Sequence, residues 1–543
     1  MPRDTRGEFA AGASSMVTAV FIAKMLGIFF IVPLQNLIGN YALGLYQLVY
    51  PLYSIMLTLA TAGFPLALSK AISDLAARGE HKKASATYAI VARALALFGV
   101  AAFFVMWFAG PYFLRGAAAG PQAVRDAVPA VRALAPALLL LPLMSAQRGY
   151  LQGHLRLEAS GASQVAEQFT RVGTVLIGLI IAVNLGAGPA TTAAIATFGG
   201  TAGAIAAFVL LLRSVRRMRR ELARRVRYAP RPALDPRRVM RQLFVYSLPI
   251  ALGTLVLPVS QSIDAWTVTR ELRGAGMGAA AAIRLYGVYA GEALRLMQVP
   301  LSFAMAIGAS VLPAITEAVA LRDRGLAHER LLTSLRMTAF ITLPAAAAIA
   351  ALAAPIDIAL FRSSGGAPVI ALAAVISIFS ALELVSTYIL QGYGVFYRPV
   401  AHMAAGAFVK LEFNLLLIPP LGIVGAPLAS IAGFMVSSWL NMASLRRVAR
   451  TRTTFPATAW RSLLAAAIAG AWFYALTRLY TGYAVAWHAQ SSRWLALACI
   501  VIAMAIGAPL YLIFSILDRA VTGRELMRVP VLGRWLERWT AHS

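Results

Sequence analysis

The chain has 543 residues, of which 60% are hydrophobic and only 13% are charged. Soluble domains carry about twice that charged fraction, so the composition excludes a soluble multidomain protein and indicates a chain that crosses a membrane many times. The net charge of +28 would suggest nucleic acid binding in a soluble protein. In a membrane protein the same excess of Lys and Arg marks cytoplasmic segments, and we expect no nucleic acid partner.

Fourteen apolar runs predict an all-α polytopic membrane protein, because a helix needs about 20 mostly apolar residues to cross the hydrocarbon. The first run follows Arg3 and Arg6 and is too long for the core of a signal peptide, so we interpret it as an uncleaved first span. We number the predicted spans 1 to 14 in chain order: 12–36, 42–68, 86–112, 130–150, 160–184, 189–212, 243–268, 284–315, 333–353, 367–390, 399–418, 422–444, 462–482 and 494–517.

The basic residues predict the orientation of these spans. Most of the 49 Lys and Arg residues precede span 1 or lie in segments that follow even-numbered spans. Because cytoplasmic segments are enriched in Lys and Arg, both termini are predicted to be cytoplasmic. The richest segment, 213–241, lies between spans 6 and 7. We interpret it as a linker that binds anionic lipid headgroups, with a regulatory or partner-docking role as the alternative.

An internal repeat divides the first twelve spans into two groups of six. Leu151–Gly153 recurs as Leu390–Gly392 at an offset of 239, and Pro51 recurs as Pro300 at an offset of 249. An even number of spans per repeat gives both repeats the same orientation. The predicted organisation is a six-helix lobe, a basic linker, a second six-helix lobe and an appended helix pair with a cytoplasmic tail: 1–212, 213–241, 242–450 and 451–543.

The sequence lacks the motifs of common membrane enzymes. It contains no Gly-Lys pair for a phosphate-binding loop and no adjacent Asp residues for a magnesium site. Its six His residues show no His-x-x-x-His spacing for zinc, and its single cysteine, Cys499, excludes a disulfide within this sequence. These patterns predict a monomeric transporter rather than an enzyme, with no cofactor and no bound metal.

Ionisable residues inside a span are costly and usually functional, and the cations are the first candidates. Lys24 lies in the middle of span 1, where it either faces a cavity or extends toward the interface. Arg295 lies in span 8, one helical turn after Glu292 on the same face. These two residues form either a structural ion pair or a cavity cation held in place by its acid.

Span 5 offers a similar arrangement, because Glu167 and Arg171 are four residues apart and are predicted to pair. Adding the repeat offset of 239 to position 171 leads to Lys410 in span 11. Two cations at equivalent positions suit an anionic ligand in a common vestibule. The alternative places both of them near the cytoplasmic interface.

Two acids and a set of Gly and Pro residues complete the candidates. Asp264 is the lone acid of span 7, and it either binds a coupling cation (Na⁺ or H⁺) or lies at the interface near Arg270. Glu383 in span 10 is a further acid of this kind. Helix-breaking residues in the equivalent spans 2 and 8 predict hinges: Gly63, Pro65, Pro300 and Pro313.

Motifs in spans 1, 2 and 8 resemble a known family. They are Lys24-Met25-Leu26-Gly27, Gly39-x₄-Gly44-Leu45-Tyr46-Gln47-x₂-Tyr50-Pro51-x-Tyr53, Gly63-Phe64-Pro65-x-Ala67-x-Ser69-Lys70 and Arg295-Leu296-x₃-Pro300-Leu301. These motifs resemble the SpoVB/YtgP branch of polysaccharide-biosynthesis membrane proteins. That branch belongs, with the MurJ lipid II flippases, to the multidrug/oligosaccharidyl-lipid/polysaccharide exporter superfamily. MurJ flippases carry an Arg in span 2 where this sequence reads Leu57-Thr58-Leu59-Ala60, so substrate contacts are expected to differ there.

The resemblance implies two six-helix bundles around a cationic cavity, a groove for a polyprenyl tail at the final helix pair, and alternating access in the bacterial cytoplasmic membrane. It also implies that Lys24 and Arg295 meet a substrate pyrophosphate. The expected function is a flippase for an undecaprenyl-pyrophosphate-linked glycan, with lipid II for peptidoglycan as the expected cargo. The alternatives are an exporter of another lipid-linked polysaccharide unit, a drug/cation antiporter of the same superfamily, or a non-transporting scaffold for envelope assembly.

Overall fold

The computed structural model describes residues 16, 18–19, 22–23, 25–27, 29–61, 63–117, 120–225, 234–363, 365–450, 455–486 and 492–518. Within these residues the regular structure is helical and no β-strand occurs, which confirms the predicted all-α class. The predicted cavity cation Lys24 lies outside the described residues, as do residues 226–233 of the basic linker.

The chain divides into two compact units, Met1–Gly291 and Glu292–Ser543. A π-helical segment, Val105–Ala109, joins the third and fourth helices of the first unit, and a second π-helical segment, Gly287–Ala293, follows its last helix. The helices of this unit are α1 (Ile31–Thr61), α2 (Phe64–Ala77), α3 (His81–Phe104), α4 (Gly110–Ala117), α5 (Pro121–Leu134), α6 (Ala137–Gly153), α7 (Leu157–Asn184), α8 (Pro189–Arg225), α9 (Pro236–Gly274) and α10 (Ala279–Tyr286).

The second unit is also built from long helices. A short π-helical segment, Asp357–Phe361, follows its third helix, and a 3₁₀ turn, Gly422–Val424, joins its fifth and sixth helices. The helices are α11 (Leu294–Ala320), α12 (Arg324–Ala351), α13 (Ala353–Ile356), α14 (Ala367–Gly392), α15 (Tyr397–Leu421), α16 (Gly425–Val448), α17 (Phe455–Ala486) and α18 (Arg493–Leu517).

Eleven helical segments of the described residues are long and apolar enough to cross a membrane. Two of them, Met25–Ala77 and Tyr397–Val448, contain 53 and 52 residues, which is more than twice the roughly 20 residues of one crossing. The first is interrupted at Gly39, where φ is 69°, and the second at Gly422, where φ is 61°. Two crossings in each of these segments, together with α9, are consistent with the fourteen predicted spans.

The boundary between the two units lies inside the π-helical segment Gly287–Ala293. The sequence repeat instead divides the chain at the basic linker, which assigns α9 to the second lobe. In the structure α9 packs against α1 of the first unit. The two divisions describe different properties, since the repeat compares sequences and the units reflect packing. The division into lobes by repeat therefore stays a prediction.

The first part of the basic linker is helix. Helix α8 has 37 residues, about 55 Å at 1.5 Å per residue, whereas the hydrocarbon is only about 30 Å thick. Its last turns, residues 213–225, place Val215 and Met218 in buried positions. Arg219 donates from Nε to Ser85 Oγ of α3 at 3.0 Å. This end of α8 is thus a basic helical arm packed on α3.

The predicted hinge residues occur in two different settings. Gly63 separates α1 from α2 with a φ of 77°, a left-handed conformation that favours glycine. Pro65 follows in the first turn of α2, where a proline is tolerated. Helix α11, in contrast, continues through both Pro300 and Pro313, and the irregular part of span 8 is the π-helical segment that precedes it. The hinge roles of these four residues stay predictions.

The appended helices α17 and α18 pack within the second unit. Tyr511 of α18 donates to the carbonyl oxygen of Phe340 in α12 at 2.7 Å. A Cβ added to Gly507 of α18 would clash with the ring of Phe473 in α17. Such close approach at a small residue is typical of helix packing in membranes, and it holds the two helices side by side on α12.

Candidate functional site

Three tyrosines on one face of α1 surround an arginine of α7. Tyr46, Tyr50 and Tyr53 follow the i, i+4, i+7 spacing of a helical face, with centroid distances of 5.4 Å and 5.6 Å between successive rings. Arg171 donates from Nη2 to Tyr46 Oη at 2.8 Å and to Tyr50 Oη at 3.0 Å. The tyrosines are not among the site residues predicted from the sequence, although their helical spacing is a signal for a common face.

Glycines of α8 fix the position of Arg171. A Cβ added to Gly199 would lie 2.9 Å from the carbonyl oxygen of Arg171, and one added to Gly203 would lie 3.2 Å from Arg171 Cβ. Glycine at these two positions lets the backbones of α7 and α8 approach closely. The interface of α7 with α8 therefore determines which way the arginine-bearing face of α7 points.

Glu167 pairs with a neighbouring helix and not with Arg171. Its Oε2 accepts from Arg148 Nη2 of α6 at 2.8 Å, and Arg148 Nε also donates to Ser163 Oγ at 3.1 Å. Among the described residues Arg171 forms no ion pair. The predicted pairing of Glu167 with Arg171 is therefore wrong. A pair four residues apart stabilises a helix by only about 0.5 kcal/mol, so a well-placed arginine on a packed helix can replace it.

Lys410 of α15 lies at a comparable helix crossing in the second unit. Its side chain is buried, with a relative exposure of 5%. A Cβ added to Gly433 of α16 would lie 3.0 Å from Lys410 Cβ and 2.6 Å from the carbonyl oxygen of Gly406. Arg171 and Lys410, which the repeat offset relates, thus each lie against a glycine of the following helix. This shared packing supports their predicted equivalence.

The second repeat carries an additional cation at an equivalent position. The offset of 249 relates Tyr46 to Arg295, which lies half-buried at the start of α11. The first repeat thus has Tyr46 hydrogen-bonded to Arg171 at these positions. The second repeat has two cations, Arg295 and Lys410, at the equivalent positions. Glu292 is fully buried at the end of the π-helical segment before α11, and such segments occur frequently at functional sites.

Asp264 of α9 is buried in the first unit. Its exposed fraction is 1%, and its Oδ2 accepts from Tyr289 Oη at 3.2 Å. Tyr289 belongs to the π-helical segment Gly287–Ala293. An acid at the membrane interface would be exposed, so this burial disfavours the interfacial alternative. The role of Asp264 in binding a coupling cation stays a prediction.

A histidine cluster lies outside the membrane-spanning segments. His154, between α6 and α7, donates from Nδ1 to the carbonyl oxygen of Tyr150 at 3.0 Å. Its ring stacks on His81 with centroids 6.2 Å apart. Burial lowers the pKa of His154 below its ordinary value of 6.5, and the neighbouring His81 and Arg156 lower the pKa further. Burial of His154 therefore favours the neutral form of its imidazole.

No group of three or more His, Cys, Asp or Glu side chains able to hold a metal ion is found in the part of the chain that the structure describes.

The chain is similar to two membrane proteins of Bacillus subtilis (strain 168). It is 30% identical over 441 residues to an uncharacterized membrane protein, YabM, with 80% of each chain covered. It is 27% identical over 457 residues to the lipid II flippase MurJ, with 80% of this chain and 82% of the relative covered.

Two solved structures share the fold. The lipid II flippase MurJ in an inward closed conformation matches with a TM-score of 0.67 at 15% identity, covering 93% of this chain and 98% of that chain. An inward-facing MATE family multidrug resistance transporter of the MOP superfamily matches with a TM-score of 0.65 at 16% identity, covering 79% and 96%. At these identities the likeness establishes the fold alone, the multi-spanning helical fold that these two structures share.

A family model gives the assignment of the sequence. The model described as polysaccharide biosynthesis protein matches residues 9–319, which is more than half of the chain. The matched region contains the tyrosine face of α1, Arg171 and Arg295. The chain belongs to the polysaccharide biosynthesis protein family of multi-spanning membrane proteins.

Proposed function

We propose that this protein translocates an undecaprenyl-pyrophosphate-linked glycan across the bacterial cytoplasmic membrane by alternating access, with lipid II as its cargo. This function requires the protein to bind an anionic group within membrane-spanning helices and to release it on the other side. It requires no covalent chemistry. The protein would act as a monomer with both termini in the cytoplasm, and the basic segment 213–241 would bind anionic lipid headgroups.

The uncompensated charge of Arg171 is the observation that carries this proposal. A cation inside a membrane-spanning helix costs several kcal/mol unless a partner compensates it. Tyr46 and Tyr50 accept its hydrogen bonds, but a phenol hydroxyl is neutral and leaves the positive charge in place. The nearby acid, Glu167, is already paired with Arg148. A guanidinium without a carboxylate partner favours an anionic ligand. Its planar, forked arrangement of N–H donors suits phosphate oxygens in particular.

The second unit supports the same ligand class. Arg295 and Lys410 occupy the positions that correspond to Tyr46 and Arg171 in the first repeat. We propose that each unit contacts the pyrophosphate through its own cations at successive stages of translocation. Lys24, which lies outside the described residues, would contribute a further positive charge. Asp264 would bind the coupling cation, Na⁺ or H⁺.

The similarity to MurJ supports a lipid-linked glycan as the cargo, since that relative is a lipid II flippase by name. One feature favours a second candidate, an exporter of a different lipid-linked polysaccharide unit. The stretch Leu57–Ala60 of α1 is uncharged, so this region offers a glycan fewer ionic contacts. A drug/cation antiporter is less well supported, because Arg171 leaves a positive charge where a cationic drug would require a carboxylate.

Reconstitution into liposomes tests the proposal. Fluorescent lipid II is placed in both leaflets, and the fraction that a membrane-impermeant reductant can quench is followed with and without the protein. A parallel assay uses the same polyprenyl pyrophosphate with a different glycan. We expect lipid II to become fully accessible only in liposomes that contain the protein. Movement of the other glycan alone would support the second candidate, and movement of neither would contradict both.

A scaffold function predicts a different dependence on the basic segment 213–241. Replacing its exposed arginines Arg216, Arg217 and Arg220 by Gln should leave a flippase active in liposomes. A scaffold would lose its partner in cells and would show no lipid movement in liposomes in either form.

A further inference from the structure

Buried polar side chains of the second unit form a continuous hydrogen-bonded chain across three helices. Thr387 donates from Oγ1 to Glu383 Oε1 within α14 at 3.0 Å. Asn441 of α16 donates from Nδ2 to Thr387 Oγ1 at 3.0 Å and to Ser386 Oγ at 3.1 Å. The Oδ1 atom of Asn441 accepts from His402 Nδ1 of α15 at 2.8 Å. The two titratable groups in this hydrogen-bonded series are therefore a carboxyl group and an imidazole.

The carboxyl group of Glu383 has no basic partner in the part of the chain that the structure describes. Its exposed fraction is 4%, and among the described residues it forms no ion pair. Helices α11, α12 and α16 pack against α14, and α15 packs against α16. Past the first two turns of α12, the charged groups along these helices are Arg295, Glu317, Arg336, Arg398, Lys410, Glu412, Arg446 and Arg447, and Glu383 forms no salt bridge with any of them.

The first repeat has an ion pair at the corresponding place. The offset of 239 relates Arg148 to Thr387 and Ser163 to His402. Arg148 joins α6 to α7 by its bonds to Ser163 and Glu167, and the sum of the charges in that link is zero. The corresponding link in the second repeat contains an acid and no arginine, so it holds no permanently charged cation that would neutralise the carboxylate.

The polar groups around Glu383 suit a proton better than a metal ion. Asn441 points its amide N–H group at Thr387, at Ser386 and at the carbonyl oxygen of Glu383, the last at 3.2 Å. Its amide oxygen is occupied by His402. Hard cations such as sodium need several oxygen ligands, whereas N–H donors repel them. An unpaired carboxylate inside a membrane-spanning helix is also far more costly than the neutral acid.

We propose that Glu383 is a proton-binding site of the second unit, with Thr387, Asn441 and His402 as its positioning residues. A proton from the solvent converts the carboxylate to a neutral acid, and α14, α15 and α16 then pack around it as the structure shows. Loss of the proton leaves a charge that must be hydrated, which opens the contact of α14 with α16. His402 is only half-buried, so of the two titratable groups in this network it is the one nearer to solvent.

Infrared difference spectroscopy of the full-length protein in lipid nanodiscs tests this site without a transport assay. Spectra in acidic and alkaline buffer are compared. We expect the carbonyl stretching band of a protonated carboxylic acid that disappears on raising the pH. The band should be absent from Glu383→Gln and present in Glu317→Gln, which removes an exposed acid of α11. In His402→Gln the pH midpoint of the band should shift, because the imidazole is coupled to the carboxyl through Asn441.

The possible results separate the alternatives. A spectrum of Glu383→Gln that equals that of the unchanged protein would overturn the proposal. Loss of the band on adding sodium chloride at constant pH, without the same loss on adding choline chloride, would identify a sodium site and overturn it as well. Glutamine has the size of the neutral acid, so the variant should fold. If it does not fold, the His402→Gln midpoint decides, and an unshifted midpoint contradicts the assigned network. Because the readout is spectroscopic, these outcomes do not depend on whether the protein moves lipid II.

Discussion

Glu167 of α7 forms its ion pair with Arg148 of α6 and leaves Arg171, one turn along its own helix, to the hydroxyl groups of Tyr46 and Tyr50. One carboxylate therefore serves one of two nearby arginines. Because Glu167 pairs with Arg148, the guanidinium of Arg171 has no carboxylate partner among the described residues. The remaining charge is on Arg171, and the proposed anion binding depends on it.

Replacing Arg171 tests this directly. Arg171→Gln removes the charge and should reduce lipid II movement in liposomes by about 10- to 100-fold, since a bond to a charged group contributes about 1.5–3 kcal/mol. Arg171→Lys keeps the charge but loses the planar fork. Its rate of lipid II movement should therefore lie between the rates of the unchanged protein and of Arg171→Gln. The matched control is Arg156→Gln, which changes an arginine that is 64% exposed and should leave the rate unchanged. Full activity of Arg171→Gln would contradict the proposed phosphate contact.

Removing one member of the Arg148–Glu167 pair should destabilise the first unit. Glu167→Gln leaves Arg148 without its carboxylate, and both side chains are about one-fifth exposed, at 19% and 22%. We expect a loss of about 2 kcal/mol in the free energy of unfolding, measured by thermal unfolding in detergent. Glu221→Gln breaks exposed contacts with Arg156 and Arg217 and should cost less than about 1 kcal/mol. Equal losses in the two variants would show that the Arg148–Glu167 link does not stabilise the packing of α6 on α7.

The conformation and surroundings of Gly63 predict a strong effect of added side-chain atoms. In Gly63→Ala the new Cβ would lie 2.6 Å from the carbonyl oxygen of Ser247, and φ is 77°. Gly79→Ala is the matched control, because Gly79 has a φ of 73° and open space around its Cβ position. The left-handed conformation alone costs about 1–2 kcal/mol. We expect thermal unfolding to show that cost at Gly79 and a clearly larger one at Gly63. A similar loss at both positions would mean that α2 adjusts to the clash easily.

The pKa of His154 predicts a pH dependence of stability. Its pKa is lower in the folded protein than the ordinary 6.5, so the unfolded chain takes up the proton first as the pH falls. The contribution of the neutral imidazole is therefore complete above about pH 6.5 and is lost as the pH falls through that value toward the lower folded pKa. Thermal unfolding should show a loss of stability over this range that is smaller in His154→Gln. Ser85→Ala changes a non-titrating side chain of α3 that accepts a hydrogen bond from Arg219, and it should keep the full slope. An unchanged slope in His154→Gln would assign the pH dependence to other groups.

The helical architecture is predictable from sequence because a membrane imposes length and polarity on every helix. The fourteen apolar runs therefore correspond to helices throughout the described residues. Bends and irregular turns are less predictable. Prolines suggest breaks at Pro300 and Pro313, yet α11 passes through both. The irregular turn lies instead at Gly287–Ala293, where the sequence has no proline and where packing against neighbouring helices decides the backbone.

The partners of the site residues are also difficult to predict from sequence, because they depend on helix packing. A cation at position 171 inside a span is visible in the sequence, but its partners are not. Local spacing favours Glu167, because residues four apart share a helix face. The competing partner, Arg148, approaches Glu167 only once α6 and α7 have packed. The role of Tyr46 and Tyr50 likewise depends on the packing of α1 beside α7.

The neutrality of the tyrosine hydroxyls has a consequence for turnover. A hydrogen bond between a charged and a neutral group contributes about 1.5–3 kcal/mol, whereas removing one partner of a buried ion pair costs about 3–5 kcal/mol, because the other charge is left uncompensated. In the proposed function, Arg171 would therefore leave no uncompensated charge behind when it moves from Tyr46 and Tyr50 to a phosphate. A carboxylate partner would compete with every cargo molecule and slow each cycle. The phenol oxygens would orient the guanidinium between transport cycles, and they add no negative charge that competes with the cargo.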